Sequence, residues 1–327
     1  MSEDFYKNLH REGLLSDASF GKVSKSAGAA LFSLHWEIKT LLYLGVALLT
    51  TGLGLLIYEN IDSIGHQFVL LLIGLICSGC FVYCFKYKLP FSTEKVRASN
   101  SSFDYILLLA NTSFLIFVGY LQFEYKIFGV NYGLATFIPM LVLFFTAYYF
   151  DHLGLLSMAI ANLAVWMGVS VTPNQLLLHS DFNNRTIIYT YLVLGMLLLA
   201  AAYLTARFNF KKHFKFSYQH YGVHVAFIAL LAGYFHYYDV WMAVIWMLGI
   251  FILSALIYLD AVRNKSFYFL LLVVLYSYIA ISSLMIRGMM LIGNGAAIEE
   301  LVAIYFMATG AGLVFLLINF NEKLKGA

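Results

Sequence analysis

The sequence predicts an all-α, polytopic integral membrane bundle of about ten transmembrane helices, preceded by a small N-terminal helical hairpin. Three observations carry this. Of 327 residues, 62% are hydrophobic and 11% are charged, where soluble domains average about 25% charged. Stretches such as TLLYLGVALLTTGLGLLIY and FLLLVVLYSYIAISSLMI hold no charged side chain, and about 18 such residues cross the hydrocarbon core as a helix. The runs are continuously apolar and not alternating, which excludes an outer-membrane β-barrel.

Residues 1–38 read as the hairpin, on the cytoplasmic side. Ser2 can cap a helix whose first turn holds Glu3 and Asp4, and Gly13 can end it. Ser16 can cap a second helix, DASFGKVSK. Each helix has a modest apolar stripe, Phe5 with Leu9 and Phe20 with Val23. About forty residues build little core alone, so the hairpin is expected to lean on the membrane or on a cytoplasmic protein partner. The first forty residues contain no apolar signal region and no small-residue cleavage site. No cleaved signal peptide is therefore expected, and the first span serves for insertion.

The transmembrane domain is expected over 39–320, with a short cytoplasmic tail at 321–327. Its spans fall near 41–59, 66–86, 103–123, 131–150, 152–171, 186–206, 219–237, 240–260, 266–286 and 299–319. FDHLG, residues 150–154, is the one polar break between two full spans, so a tight turn is predicted there. The N-terminal tail, the loops near 86–102, 207–218 and 261–265, and the C-terminal tail together hold 17 of the 20 basic residues. The other face holds Lys126, Arg185 and Arg287. That bias predicts an inner-membrane protein with both termini cytoplasmic.

The stretch LHREGLLSDASFGKVSKSAG, followed by WEIKTLLYLGVALLTTGLGLLIYENID, resembles a bacterial family of predicted membrane proteins, the domain of unknown function 2157 family. Its pattern is a helix, Gly-Leu/Ile-Leu/Ile-Ser/Thr, a second helix, then a first span with Leu-Gly and a later Gly, closing on Asn-Trp and often an acid. Gly13, Leu14, Leu15 and Ser16 match, as do Leu44, Gly45, Gly52, Asn60 and Asp62, while Ile61 replaces the tryptophan. The resemblance covers roughly residues 1–90. It implies the architecture and no chemistry, because the family has no assigned activity. A further echo, LYLGVALL at 42–49 and LVLGMLLL at 192–199, would relate spans one to five with six to ten as an inverted repeat.

Few polar residues interrupt the spans. His220 and His224 lie one turn apart on one helical face, as paired ligands or a proton relay require. With Asp151 and His152, whose turn faces the same side, they form a candidate metal or proton cluster. The simpler reading, and the favoured one, is imidazoles near a helix end bonding to neighbours. His236 is about 18 Å further along and 120° around, and belongs to an outer aromatic girdle with Tyr237, Tyr238 and Trp241. Asn111 and Asn162 lie deep in their spans, as interhelical links or as parts of a polar path. Glu299 and Glu300 suit the N-terminus of the last span on an outer face that is mildly acidic. The apolar, Gly-rich lead-in RGMMLIGNGAAI could dip into the membrane or lie on it. Cys77, Cys80 and Cys84 share a face, but no partner set completes a metal site, so packing is the favoured role. RFNFKKHFKFSYQ interleaves aromatic and basic residues, an interfacial anchor beside a membrane helix. No phosphate loop, nucleophile elbow or intact metal motif occurs.

Three functional classes follow. Transport or export of a small solute or lipid is preferred, because ten spans exceed what anchoring needs. A scaffold or sensor would act through the hairpin, and a membrane-embedded enzyme would need Asp151, His152, His220 and His224 to converge. No cofactor and no nucleic acid are expected; the bilayer is the expected environment. Reporters active only in the cytoplasm or only in the periplasm, fused at Ala327 and within 174–184, should give opposite signals. Equal signals would refute the span count.

Overall fold

The computed structural model describes residues 10–12, 16, 20, 34–96, 101–129, 132–171, 184–292 and 296–326, and the regular structure among them is all helical. Ten long helices follow in order: α1 Leu34–Ile64, α2 His66–Lys86, α3 Ser101–Tyr125, α4 Tyr132–Phe150, α5 Leu153–Val171, α6 Arg185–Arg207, α7 Lys215–His236, α8 Met242–Arg263, α9 Phe267–Ile292 and α10 Ala296–Gly326. A 3-10 turn, Lys212–Phe214, leads into α7. Each helix corresponds to one expected span. The chain divides into two compact units, Met1–Val69 and Leu70–Ala327.

Most of the expected hairpin lies outside the described residues. Within it, Phe20 N–H donates to the Ser16 carbonyl at 2.8 Å, and His10 stacks on Phe20 with ring centroids 4.4 Å apart. In α1 the Thr50 and Thr51 hydroxyls donate back to the Val46 and Ala47 carbonyls. This satisfies them within the helix, as hydrocarbon requires. Large side chains such as Leu44 and Leu48 stay exposed, which suits contact with lipid.

Eight helices are long and apolar enough to cross a membrane, and α1 adds the shorter apolar stretch Thr40–Leu56. The remaining expected span, α7, falls outside that set because Gln219, His220, His224 and His236 dilute its apolar run. It packs among its neighbours all the same: consecutive helices from α3 to α10 contact one another, and α7 touches α5, α6, α8 and α9. The most polar of these helices is thus surrounded by protein. Two boundaries differ from expectation. The lead-in RGMMLI belongs to α9, which runs on to Ile292, and the C-terminal residues continue α10 to Gly326.

The turn at Phe150–Leu153 is built as expected, and both of its residues serve it. Asp151 adopts a left-handed backbone with φ of 59°, and His152 N–H donates to the Ala147 carbonyl at 3.0 Å, the closure of a Schellman-type helix end. Nδ1 of His152 then accepts the Leu155 N–H at 3.1 Å and caps α5.

Small residues set the closest packing. A Cβ placed on Gly195 of α6 would lie 2.7 Å from the Ala226 nitrogen of α7, and one on Gly222 would lie 3.0 Å from the Leu199 nitrogen. One on Gly233 would fall 2.3 Å from the Trp246 ring of α8. Gly195 and Gly222 therefore bring the α6 and α7 backbones together. Two cores result. One gathers Val223, Phe227, Leu230, Trp246, Ile250 and Leu270 from α7, α8 and α9. The other gathers Leu107, Leu143, Leu156, Leu194, Phe214 and Tyr218 around α3 to α7.

Gly195→Val should lower thermal stability in detergent by the equivalent of about 1–3 kcal/mol, the usual cost of overpacking. Gly119→Ala, where an added Cβ meets nothing within 4 Å, should be neutral or stabilising by comparison. Equal effects would mean that the α6–α7 approach is not tight.

Candidate functional site

Three connecting segments meet at Asp151. Its side chain is 2% exposed. Oδ2 accepts the Val96 N–H at 2.6 Å, and Oδ1 lies 2.6 Å from His213 Nε2. Lys211 Nζ is 2.9 Å from the same Oδ1, with its own side chain 1% exposed. That contact is an ion pair without a well-aimed hydrogen bond, and Nζ also lies 5.0 Å from the centre of the Phe91 ring. The Lys211 backbone N–H donates to the Thr93 carbonyl at 3.0 Å. Asn209 and Lys211 take left-handed φ values of 52° and 50°, so the loop is bent to deliver this lysine inward. Beside the pair is room, about 20 Å³, for a single water. Outside it, Thr93, Glu94, Lys95, Asn209, Lys212 and His213 line a polar cleft of about 670 Å³.

Lys211 corrects the reading of RFNFKKHFKFSYQ as an anchor throughout. Phe208 and Phe216 are exposed as an anchor requires, but Lys211 is fully buried. A buried ammonium is stable here because a carboxylate faces it. Nothing local in the sequence marked Lys211 or His213 for Asp151, since their partner lies about sixty residues away.

His220 and His224 engage α9. The Tyr268 hydroxyl lies 2.5 Å from His220 Nδ1 and 3.2 Å from His224 Nε2, and the Tyr276 hydroxyl lies 2.7 Å from His224 Nδ1. One assignment satisfies all four groups: Tyr276 O–H donates to His224, His224 Nε2–H donates to Tyr268, and Tyr268 O–H donates to His220. These links form a continuous hydrogen-bonded chain. It stops at Phe227, whose fully buried ring stacks on Tyr276 at 4.7 Å. At the same end of the bundle Gln219 donates to Asp260 at 2.7 Å, and Lys215 lies 3.6 Å from that carboxylate.

The hydroxyls of α9 continue past this chain. Ser277 donates to Ser254 of α8 at 2.9 Å, Tyr278 pairs with Thr309 of α10 at 2.9 Å, and Ser282 pairs with Tyr305 at 3.0 Å. Ser283 reaches Tyr234 of α7 at 3.4 Å. From Tyr268 to Ser283 this ladder covers about 22 Å of helix. At its far end a crevice of about 600 Å³ opens between α7, α9 and α10, with Tyr278, Ser282 and Ser283 inside otherwise apolar walls.

The structure places the remaining candidates as follows. His236 ends α7, exposed, with its ring 4.7 Å from that of Tyr237. Buried Asn111 accepts from the Thr146 hydroxyl at 2.8 Å, linking α3 to α4. Asn162 is half-buried, and its Oδ1 is enclosed without a hydrogen-bond partner. Glu299 and Glu300 are exposed in the first turns of α10. Cys77 and Cys84 are buried, and Cys77 contacts the Ala110 carbonyl at 3.7 Å. Asp151 is engaged by Val96, Lys211 and His213, whereas His220 and His224 are engaged by tyrosines. Among the described residues no three metal-capable side chains gather to hold an ion.

These features define a multi-pass helical membrane protein with a protein-enclosed polar helix. Residues 7–156 match the family model of domain of unknown function 2157, described as predicted membrane protein. The resemblance visible in the first ninety residues is thereby upheld, and it reaches through α4 into the start of α5. No curated protein and no solved structure matches the chain.

Asp151→Asn keeps a residue that tolerates the left-handed turn but leaves Lys211 buried without its counter-charge. It should cost about 3–5 kcal/mol, the usual effect of breaking a buried pair. Adding Lys211→Met should recover most of that loss in detergent melting. Additive losses would show that the two charges do not depend on one another.

Proposed function

We propose that the protein transports or exports a small amphipathic solute or lipid across the bacterial inner membrane, with both termini cytoplasmic. The observation that supports this most is the polar ladder of α9. Tyr268 and Tyr276 meet the His220–His224 pair of α7 at one end of this helix, and the hydroxyls of Tyr278, Ser282 and Ser283 line the 600 Å³ crevice towards its other end. Interhelical links alone need a few such contacts. A path for a part-polar cargo needs polar groups at both of its ends and a closure between. The Phe227–Tyr276 stack supplies that closure. Polar chemistry lies on one side of it and the lipid-facing crevice on the other.

The loops assigned to the cytoplasm agree with this orientation in one respect. Segments 91–96, Asp151 and 209–213 join one another, as segments on one side of a membrane must. Their Lys/Arg content then argues for the cytoplasmic side.

The test uses vesicles containing the purified full-length protein and phosphatidylglycerol with a fluorescent tail, bleached from outside by dithionite. Wild-type protein should move label between leaflets faster than protein-free vesicles, and Phe227→Ala should raise the rate severalfold. No acceleration by either protein would overturn the transport of lipid, and the hairpin-based scaffold reading would take its place.

A further inference from the structure

The crevice between α7, α9 and α10 carries a more specific reading. Its walls are Phe235 of α7, Ile279, Ile286 and Met290 of α9, and Phe306 of α10. Phe235, Ile279, Met290 and Phe306 are exposed, so the opening faces the region where lipid tails lie and not the protein interior. At about 600 Å³ it falls within the range of pockets that enclose small molecules, about 300–1,000 Å³. An apolar gap of that size in a membrane protein does not stay empty in the bilayer, because its lining would forfeit dispersion contacts that a hydrocarbon chain supplies.

Two features separate this crevice from a groove filled by any tail. First, hydroxyls of Tyr278, Ser282 and Ser283 line its inner wall. Each already has a protein partner, Thr309, Tyr305 and Tyr234, so the wall is satisfied without cargo. The spare lone pairs of these hydroxyls can still accept a hydrogen bond from a lipid hydroxyl, such as one of a glycerol headgroup. Second, Arg287 stands at the mouth, with its guanidinium 4.4 Å from the centre of the Tyr238 ring, and Tyr238 lines the crevice. A cation–π contact with the ring leaves guanidinium N–H donors for an oxyanion. Arg287 is one of three basic residues on this side of the membrane. A cation at the rim of an apolar slot, on an otherwise acidic face, matches a negative headgroup above a hydrocarbon tail.

The geometry points to an anionic phospholipid as the occupant, one acyl chain in the crevice and its phosphate on Arg287. The inference rests on the transport reading only in naming the cargo class; binding itself is a separate event. Full-length protein, delipidated in detergent, is offered equal amounts of phosphatidylglycerol and phosphatidylcholine, and the retained lipid is weighed by native mass spectrometry. Wild-type protein should retain phosphatidylglycerol in preference. Arg287→Gln should lower the phosphatidylglycerol-to-phosphatidylcholine ratio about fivefold, the effect of one basic residue near an anionic surface. Ile279→Trp, on the exposed wall, should reduce retention of both while melting at the wild-type temperature. Tyr238→Leu gives a second route, removing the ring that positions Arg287, and should also lower the preference. Equal retention of the two lipids by wild-type protein, or a preference untouched by Arg287→Gln, would overturn the assignment. Selective retention without movement between leaflets would overturn transport and uphold this site; movement without selective retention would do the reverse.

Discussion

In hydrocarbon a polar side chain must find its partner within the protein, and α7 is where this constraint is concentrated. Gln219, His220 and His224 could not face lipid tails without cost. They are accommodated because α7 touches α5, α6, α8 and α9. That enclosure depends on glycine. Gly195 and Gly222 let the α6 and α7 backbones come closer than a Cβ would permit, and Gly233 leaves space for the Trp246 ring. With α7 held so closely on two sides, its imidazoles are left facing α9, and Tyr268 and Tyr276 meet them. Tyr268, Tyr276 and Ser283 of α9 thus serve polar groups of α7, while Ser277 turns to α8 and Tyr278 and Ser282 to α10.

The Asp151 junction answers the same constraint at the end of the bundle. Three connections, 91–96, the α4–α5 turn and 209–213, converge on one carboxylate. Its geometry carries a conformational cost, since Asp151, Asn209 and Lys211 all adopt left-handed backbones that non-glycine residues disfavour. Such a pair contributes little net stability over an apolar substitute, because desolvation offsets most of the attraction. What it contributes is registry. A lysine buried without that carboxylate is strongly unfavourable, so the loop has one acceptable position.

The helices were legible because apolar runs of span length leave little alternative in a chain with so few charges. The turn at Asp151–His152 was legible for the same reason, as the one polar break between two full spans. Of the site, the shared face of His220 and His224 followed from their spacing, and the exposed position of His236 followed from its distance along the helix. Their partners did not. Tyr268 and Tyr276 are 44 to 52 residues away from their partners in sequence, and tyrosines near a span end read equally well as interfacial residues. Asp151 was grouped with the imidazoles of α7 on depth alone, but depth does not say which helix faces which. The charge that meets it, Lys211, sits in a loop whose composition describes an anchor, and burial of one lysine among several is decided by tertiary contacts. Arg287 was likewise counted only as a minority charge on its side, because the crevice beside it exists only once α7, α9 and α10 are placed.

The two ends of α9 then differ in a way that bears on mechanism. At the Tyr268 end, His224 Nδ1 and Nε2 and His220 Nδ1 each face a tyrosine hydroxyl. At the Ser283 end, the hydroxyls are paired across α7 and α10 at 2.9 to 3.4 Å, and widening or closing the crevice would change those pairs. Between them Phe227 lies flat on Tyr276, with an angle of 6° between the rings. A change in protonation at His224 alters the bond to the Tyr276 hydroxyl, and any shift of that ring slides it beneath Phe227. The aromatic stack is therefore the place where the polar chain and the crevice can influence one another, and α9 is the element that would carry the coupling.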